Sequence, residues 1–192
     1  MANKDAAFGM KPVRMIGGAP YSGGTSRYRI AANYGTSIFQ GDMVAQVTGG
    51  TVEVHADGGT VPVVGVFNGC QYTDPTSGEQ VFQNYYPAST NASDIIAFII
   101  DDPNVVYEVQ ADDTFPVADL FGNFDIVYTS SGSTLTGISG AELDVTTGAT
   151  NTNLPIKAID ISQDPNNDDV ASANTNVLVV IQNSIFGVKG AG

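Results

Sequence analysis

The sequence predicts an all-β fold, a small β-barrel or β-sandwich preceded by an extended N-terminal arm. Three observations predict it. Short apolar runs with period-two alternation recur along the chain between clusters of Gly, Pro, Asn and Asp, the pattern of strands joined by tight turns. The 22 glycines and 9 prolines supply those turns and interrupt helices. Charged residues make up only 14% of the chain, against about a quarter in an average domain, so its polarity comes from Thr, Ser, Asn and the 22 glycines.

A length of 192 residues suits one domain, or one domain with an arm, and is enough to bury a core. The hydrophobic share of 42% and a mean hydropathy of +0.02 supply that core. Residues 1–26 form the arm. Gly9, Pro12, Gly17, Gly18, Pro20, Gly23 and Gly24 exclude a long helix there. Phe8, Met10, Val13, Met15, Ile16 and Tyr21 are nevertheless apolar, more than a solvated tail carries. Such an arm docks, either on a neighbouring subunit or on its own domain.

The body, residues 27–192, opens with a strand at 27–31. Tyr28 and Ile30 point to one face, Arg27 and Arg29 to the other. A short strand at 36–40 leads to Gly41-Asp42 and a hairpin of Met43–Val47 and Thr51–Val54. With Gly49-Gly50 as a two-residue loop, Val47 faces Val52 and Ala45 faces Val54. That register sends Ala45, Val47, Val52 and Val54 to the core. Gln46, Glu53 and His55 then face solvent or a partner. Asp57-Gly58-Gly59 turns into a third strand at 61–67, and residues 71–79 read as a polar loop.

Residues 80–86 form a strand stopped by Pro87, and 94–101 has the continuous apolar middle of a buried strand. Asp102-Pro103-Asn104 turns into Val105–Gln110, which alternates clearly. Residues 115–121 suggest a single helical turn with Pro116 near its start. Weak strands at 125–128 and 133–140 and a short alternation at 142–145 follow. Residues 154–161 alternate, with Pro155 suggesting an edge strand. A polar loop at 164–174 leads to the last strong strand at 176–182, after which 188–192 trail off. The count is about ten to twelve short strands without βα alternation, the spacing of a sandwich or barrel.

The net charge is −13 and the sequence pI about 4.1, which argues against direct nucleic-acid binding. The charge is unevenly placed. Residues 1–29 hold five of the seven positive charges against one acid, a net +4, and the remainder holds −17. A basic front on an acidic body fits a segment lying on an acidic neighbour or folded back on its own body. The single cysteine, Cys70, allows no internal disulfide and reads as a small apolar filler. No secretory signal follows Lys4, and the apolar run at 95–100 is too short to span a membrane, so synthesis in a cytoplasm is expected.

The motifs of catalysis and cofactor binding are not seen. His55 is the only histidine, and there is no Gly-x-Ser-x-Gly elbow, P-loop or Gly-x-Gly-x-x-Gly. Zinc would lack ligands. Calcium has one candidate loop, Asp164-Pro165-Asn166-Asn167-Asp168-Asp169. Its sixth position is Asp where a calcium loop wants Gly, and its twelfth is Thr175 rather than Glu, which favours a solvated loop. The acid pairs Asp101-Asp102, Asp112-Asp113 and Asp168-Asp169 are turn and solubility residues. No catalytic residue, metal or cofactor is expected, and the chain reads as a protein that is not an enzyme.

Four stretches carry a resemblance: Ala7-Phe8-Gly9-Met10-Lys11-Pro12-Val13-Arg14, Gly18-Ala19-Pro20-Tyr21, Arg27-Tyr28-Arg29-Ile30 and Ile38-Phe39-Gln40-Gly41-Asp42-Met43-Val44. They resemble small structural proteins of marine tailed bacteriophages. Gly41-Asp42 before a strand, with Val63-Val64-Gly65-Val66-Phe67, is similar to capsid decoration (cement) proteins. The likeness covers roughly the first third of the chain. It implies a virion protein on the capsid exterior that binds the outer surface of a lattice of HK97-type major capsid protein and stabilises it, as a dimer or trimer. The docking residues would be Phe8, Met10, Lys11, Arg14, Ile16, Tyr21, Arg27 and Arg29. The alternative is a tail- or fibre-associated β-protein contacting a host-surface glycan through Tyr21 or Tyr85-Tyr86. An unrelated β-sandwich enzyme is disfavoured by the lone histidine.

Overall fold

Alternating apolar residues can bury one face only if strands pair, and the chain pairs them into two six-stranded sheets and a two-stranded ribbon, all antiparallel. The structure is a computed structural model that describes residues 3–149 and 153–187. Its strands are β1 (Lys11–Met15), β2 (Ser26–Arg29), β3 (Ile38–Phe39), β4 (Met43–Val47), β5 (Thr51–Val54), β6 (Val63–Thr73) and β7 (Gln80–Gln83). They continue as β8 (Tyr85–Tyr86), β9 (Ile96–Ile100), β10 (Val105–Gln110), β11 (Asn123–Tyr128), β12 (Ala141–Ala149), β13 (Ile156–Ile161) and β14 (Asn176–Ile181). One 3₁₀ turn, Val117–Asp119, stands where the helical turn was expected. Among the described residues, no helix is long and apolar enough to cross a membrane.

The first sheet runs β1-β10-β14-β13-β11-β12; the second runs β2-β9-β6-β4-β5, with β7 on the far end of β6; β3 and β8 form the ribbon. Both sheets are open, so the fold is all-β and sandwich-like rather than a closed barrel. Between the sheets, Met43, Val63, Val66 and Ile100 meet Tyr107, Val109, Phe124, Ile126, Leu143 and Val179. On its other face the second sheet packs Val44, Val64, Phe67, Cys70 and Ile99 under Ile38, Tyr86 and Ile95. Its central strands are therefore buried on both sides. This explains why β6 and β9 read as apolar runs while β5 and β7 alternate. Gly65 of β6 has no room for a Cβ against Ile100 of β9.

Several expectations are corrected. The central hairpin has a three-residue loop, because Thr48 joins the two glycines and the Gly50 N–H donates to the Val47 carbonyl. The pairs are Val47↔Thr51, Gln46↔Val52, Ala45↔Glu53 and Val44↔Val54. A one-residue slip exchanges faces. Val44, Val52 and Val54 share one face with Gln46, while Ala45 and Val47 lie on the other with Glu53.

His55 is not an outward residue. It is fully buried, its N–H donates to Met43 O, and Nε2 lies 2.9 Å from Val61 O, because the chain folds over it after the strand ends. Residues 133–140 form no strand. They make turns in which the Gly137 N–H donates to Ser133 O and the Gln40 N–H to Gly137 O. β13 is interior rather than an edge; Pro155 precedes it, and its carbonyl accepts from the Gln182 and Asn183 N–H groups. β6 extends through Thr73 into the expected polar loop, Asn84 divides 80–86 into β7 and β8, and β12 is longer than 142–145. The trailing residues 188–192 lie outside the described residues.

Candidate docking surface

Most of the N-terminal segment lies on the body. The Asn3 side chain donates to the Asp169 and Ala173 carbonyls and accepts from the Asp169 N–H. The Ala6 N–H donates to Gln110 Oε1, and Gln110 Nε2 donates to Lys4 O. Met10 is 1% exposed in the intersheet core, and its N–H donates to Gly41 O at 2.9 Å. Gly9, at φ +69°, sits against Ser139 and Gly41, where a Cβ would come within 2.6 Å of Ser139 Cβ. β1 then pairs with the edge of β10, opposing Lys11 to Glu108. Lys11 Nζ lies 3.1 Å from Glu108 Oε2. Glu108 Oε1 accepts from Ser162 Oγ at 2.5 Å and Asn176 Nδ2 at 3.3 Å.

Asp42 organises the other side of the segment. It is 2% exposed and accepts from the Phe39 N–H at 2.7 Å and from Ser139 Oγ at 2.5 Å. Its carbonyl accepts from the Phe67 N–H, and the neighbouring Gly41 N–H donates to Phe67 O. Burial pushes the Asp42 carboxyl up to about 6, against the opposing pull of the Ser139 and Phe39 hydrogen bonds. The side chain thus ties β3 and the 130–140 loop to the turn that receives Met10, and the backbone of that turn ties it to β6. The sequence placed Gly41-Asp42 before a strand; what it did not reveal was the burial of the carboxylate.

The expected docking residues fall into two groups. Phe8, Met10 and Lys11 line a cleft of about 200 Å³, with Pro12, Val66 and Ile138 among its walls. Lys11 Nζ stands 5.9 Å from the Phe8 ring centroid. Arg14, Ile16, Tyr21, Arg27 and Arg29 belong to the second group. Ile16 is 55% exposed, and the half-buried Tyr21 hydroxyl donates to Gly24 O. Arg27 and Arg29 are exposed on the edge strand β2, with the Arg27 guanidinium 6.0 Å from the Phe98 centroid. Arg14 donates to its neighbouring Met15 carbonyl. Among the described residues, none of these three arginines forms an ion pair, in a chain of net charge −13.

Of the aromatics considered for a glycan, Tyr86 is buried, and the half-buried Tyr85 stacks on Phe39 at 5.7 Å. In the loop considered for calcium, Asp164 accepts from the Asn166 N–H, and Asp169 from the Ala171 N–H and the Ser172 hydroxyl. Among the described residues, no group of three or more His, Cys, Asp or Glu could hold a metal ion.

A further surface was not recognised in the sequence. Segments 30–41, 80–93 and 129–141 contain no Asp, Glu, Lys or Arg. The fold brings all three to one end. β3 pairs with β8, the Asn33 N–H donates to Thr90 O, and the Ala88 N–H to Ser37 Oγ. Asn84 Nδ2 donates to Thr136 O at 2.7 Å, and the Ser139 N–H to Gln40 O. Phe82 is 65%, Leu135 94% and Ile138 40% exposed there. Its signal was a charge-free pattern spread over three separate stretches, which only the fold unites. Comparison with protein-family models, curated proteins and solved structures finds no match for this chain.

Proposed function

We propose that the chain is a virion structural protein that binds the outer surface of a capsid lattice of HK97-type major capsid protein and stabilises it, as a decoration protein does. The observation that carries this reading is the set of three arginines, Arg14, Arg27 and Arg29, that pair with none of the chain's 20 acids among the described residues. Unpaired cations on an acidic protein suit an acidic partner surface, and their attraction is screened by salt. The residues Phe8, Lys11, Ile16 and Tyr21 would add apolar and polar contacts around them.

The test is co-sedimentation of the purified chain with expanded HK97-type capsid shells. The expected result is saturable binding in proportion to lattice positions, weakened by raised salt and by Arg27→Glu with Arg29→Glu. A chain that fails to bind any such shell, or that is found on particles in only tail-like copy number, would overturn the reading.

A further inference from the structure

The second sheet ends at β2, so one side of that strand has no neighbour in the sheet order. Its register decides which groups face the open side. Ser26 opposes Ile99, Arg27 opposes Phe98, Tyr28 opposes Ala97 and Arg29 opposes Ile96. One step further, the Ile30 N–H donates to Ile95 O. In an antiparallel ladder, residues that exchange backbone hydrogen bonds with the neighbouring strand alternate with residues that do not. Ile30 bonds towards β9, so Tyr28 and Ser26 do as well. The N–H and carbonyl groups of Arg27 and Arg29 therefore point away from β9, to the open edge. The same two residues are exposed, and their side chains lie on one face of the strand.

Other edges are closed by the chain itself. On the outer side of β1 the Met15 N–H donates to Ala19 O. On β5 the Val54 N–H donates to the Tyr34 hydroxyl, and on β12 the Leu143 carbonyl accepts from the Asp112 N–H. Among the described residues, no such hydrogen bond closes β2 at Arg27 or Arg29.

We propose that β2 takes up an extended acidic segment of a partner protein as an added strand. Main-chain hydrogen bonds to Arg27 and Arg29 hold the segment, and carboxylates at two alternate positions stand beside the two guanidinium groups. This rests on the reading that the free arginines meet an acidic partner, and it adds how they meet it. Residues directly opposite one another across a strand pair lie roughly 5 Å apart on one face, within reach of an opposite-charge pair. Charged residues on an edge also hold off unwanted strands. A second copy of β2 would set arginine against arginine, whereas an acidic strand gives each arginine a partner. Backbone bonds thus supply the attachment and the alternate carboxylates the selectivity.

The probe is a short capped peptide of alternating Thr and Glu, titrated into the full chain and followed by NMR amide exchange. The expected result is binding that slows exchange at the Arg27 and Arg29 amides and weakens as salt is raised. Arg27→Glu with Arg29→Glu should weaken it about tenfold or more, since two opposite-charge pairs become like-charge pairs. N-methylation of the peptide's Glu residues, whose N–H groups face β2, should abolish binding. N-methylation of its Thr residues, whose N–H groups face away, should leave it. Three results would overturn the proposal: no binding at low salt, binding indifferent to N-methylation of Glu, or binding that leaves both arginine amides unprotected. Shell co-sedimentation with amide exchange separates this from capsid docking. A shell-bound chain with Arg27 and Arg29 unprotected would sink strand addition alone, and a peptide strand added to a chain that binds no shell would sink the capsid reading alone.

Discussion

Two buried carboxylates flank the N-terminal segment, and they are built differently. Glu108, on β10, gathers three donors: the Lys11 ammonium, the Ser162 hydroxyl and the Asn176 amide. Asp42, before β4, is as buried but gathers only neutral donors, the Phe39 N–H and the Ser139 hydroxyl. A carboxylate with a cation beside it keeps a partner for its charge. One with neutral donors in a buried site is pushed toward its protonated form. Salt should therefore be felt on the Glu108 side of the segment and pH on the Asp42 side.

The comparison breaks most severely if the anchor between the two sides is removed. Met10→Ala should cost about 3 kcal/mol, the usual loss for truncating a buried methionine, read as a lowered denaturation midpoint. A loss below about 1 kcal/mol would mean that the segment is not part of the cooperative fold.

Titration sharpens the contrast next. The Asp42 carboxyl rises from an ordinary 3.8 to about 6 on folding, so the folded state binds its proton more tightly. Its contribution is fully present below 3.8 and is lost as pH rises through about 6, a change of about 3 kcal/mol at roughly 1.4 kcal/mol per unit. Asp42→Asn keeps an acceptor for the Phe39 N–H and carries no charge. The difference in stability between it and the native chain should therefore grow in its favour from pH 4 to pH 8. A native chain that gains stability relative to Asp42→Asn over that range would refute the assignment.

On the Glu108 side, Lys11→Met should cost about 1 kcal/mol, since the lysine is 62% exposed while its partner is buried. Urea unfolding of the native chain and the variant at low and high salt checks this. The salt dependence of their difference should vanish at high salt, which weakens the pair in the native chain. The smallest effect concerns the free arginines. Arg27→Ala with Arg29→Ala should leave thermal stability within about 0.5 kcal/mol, because both are exposed and unpaired. A larger loss would show that they hold the fold rather than a partner.

Which of these features could be read in advance follows from where the information lies. β10 and β14 were legible because β10 alternates from Tyr107 to Gln110 and β14 is an apolar run of mostly β-branched residues. The hairpin register was not, because Thr48 can end a strand or open a loop, and a one-residue choice changes every face. Pro155 suggested an edge by its missing N–H, but it stands just outside the strand, where that N–H is not needed and its carbonyl serves two donors. His55 looked solvent-facing by alternation, which stops where β5 ends at Val54. The arginine-rich front was visible as charge. Asp42 and the uncharged end were not, since burial of one carboxylate and the meeting of three distant segments are properties of the assembled chain.

Cys70 gives the middle layer a chemical clock. Its thiol lies on β6, 1% exposed, with Sγ 3.4 Å from the Tyr85 carbonyl, and burial pushes it up to about 12. A thiol reagent at neutral pH meets neither an accessible sulfur nor a thiolate while the second sheet is intact. The rate of labelling then reports the opening of that sheet or of the ribbon packed on it, read at one native atom without an engineered label. The same measurement on particles and on the free chain would report how far attachment slows the breathing of this layer.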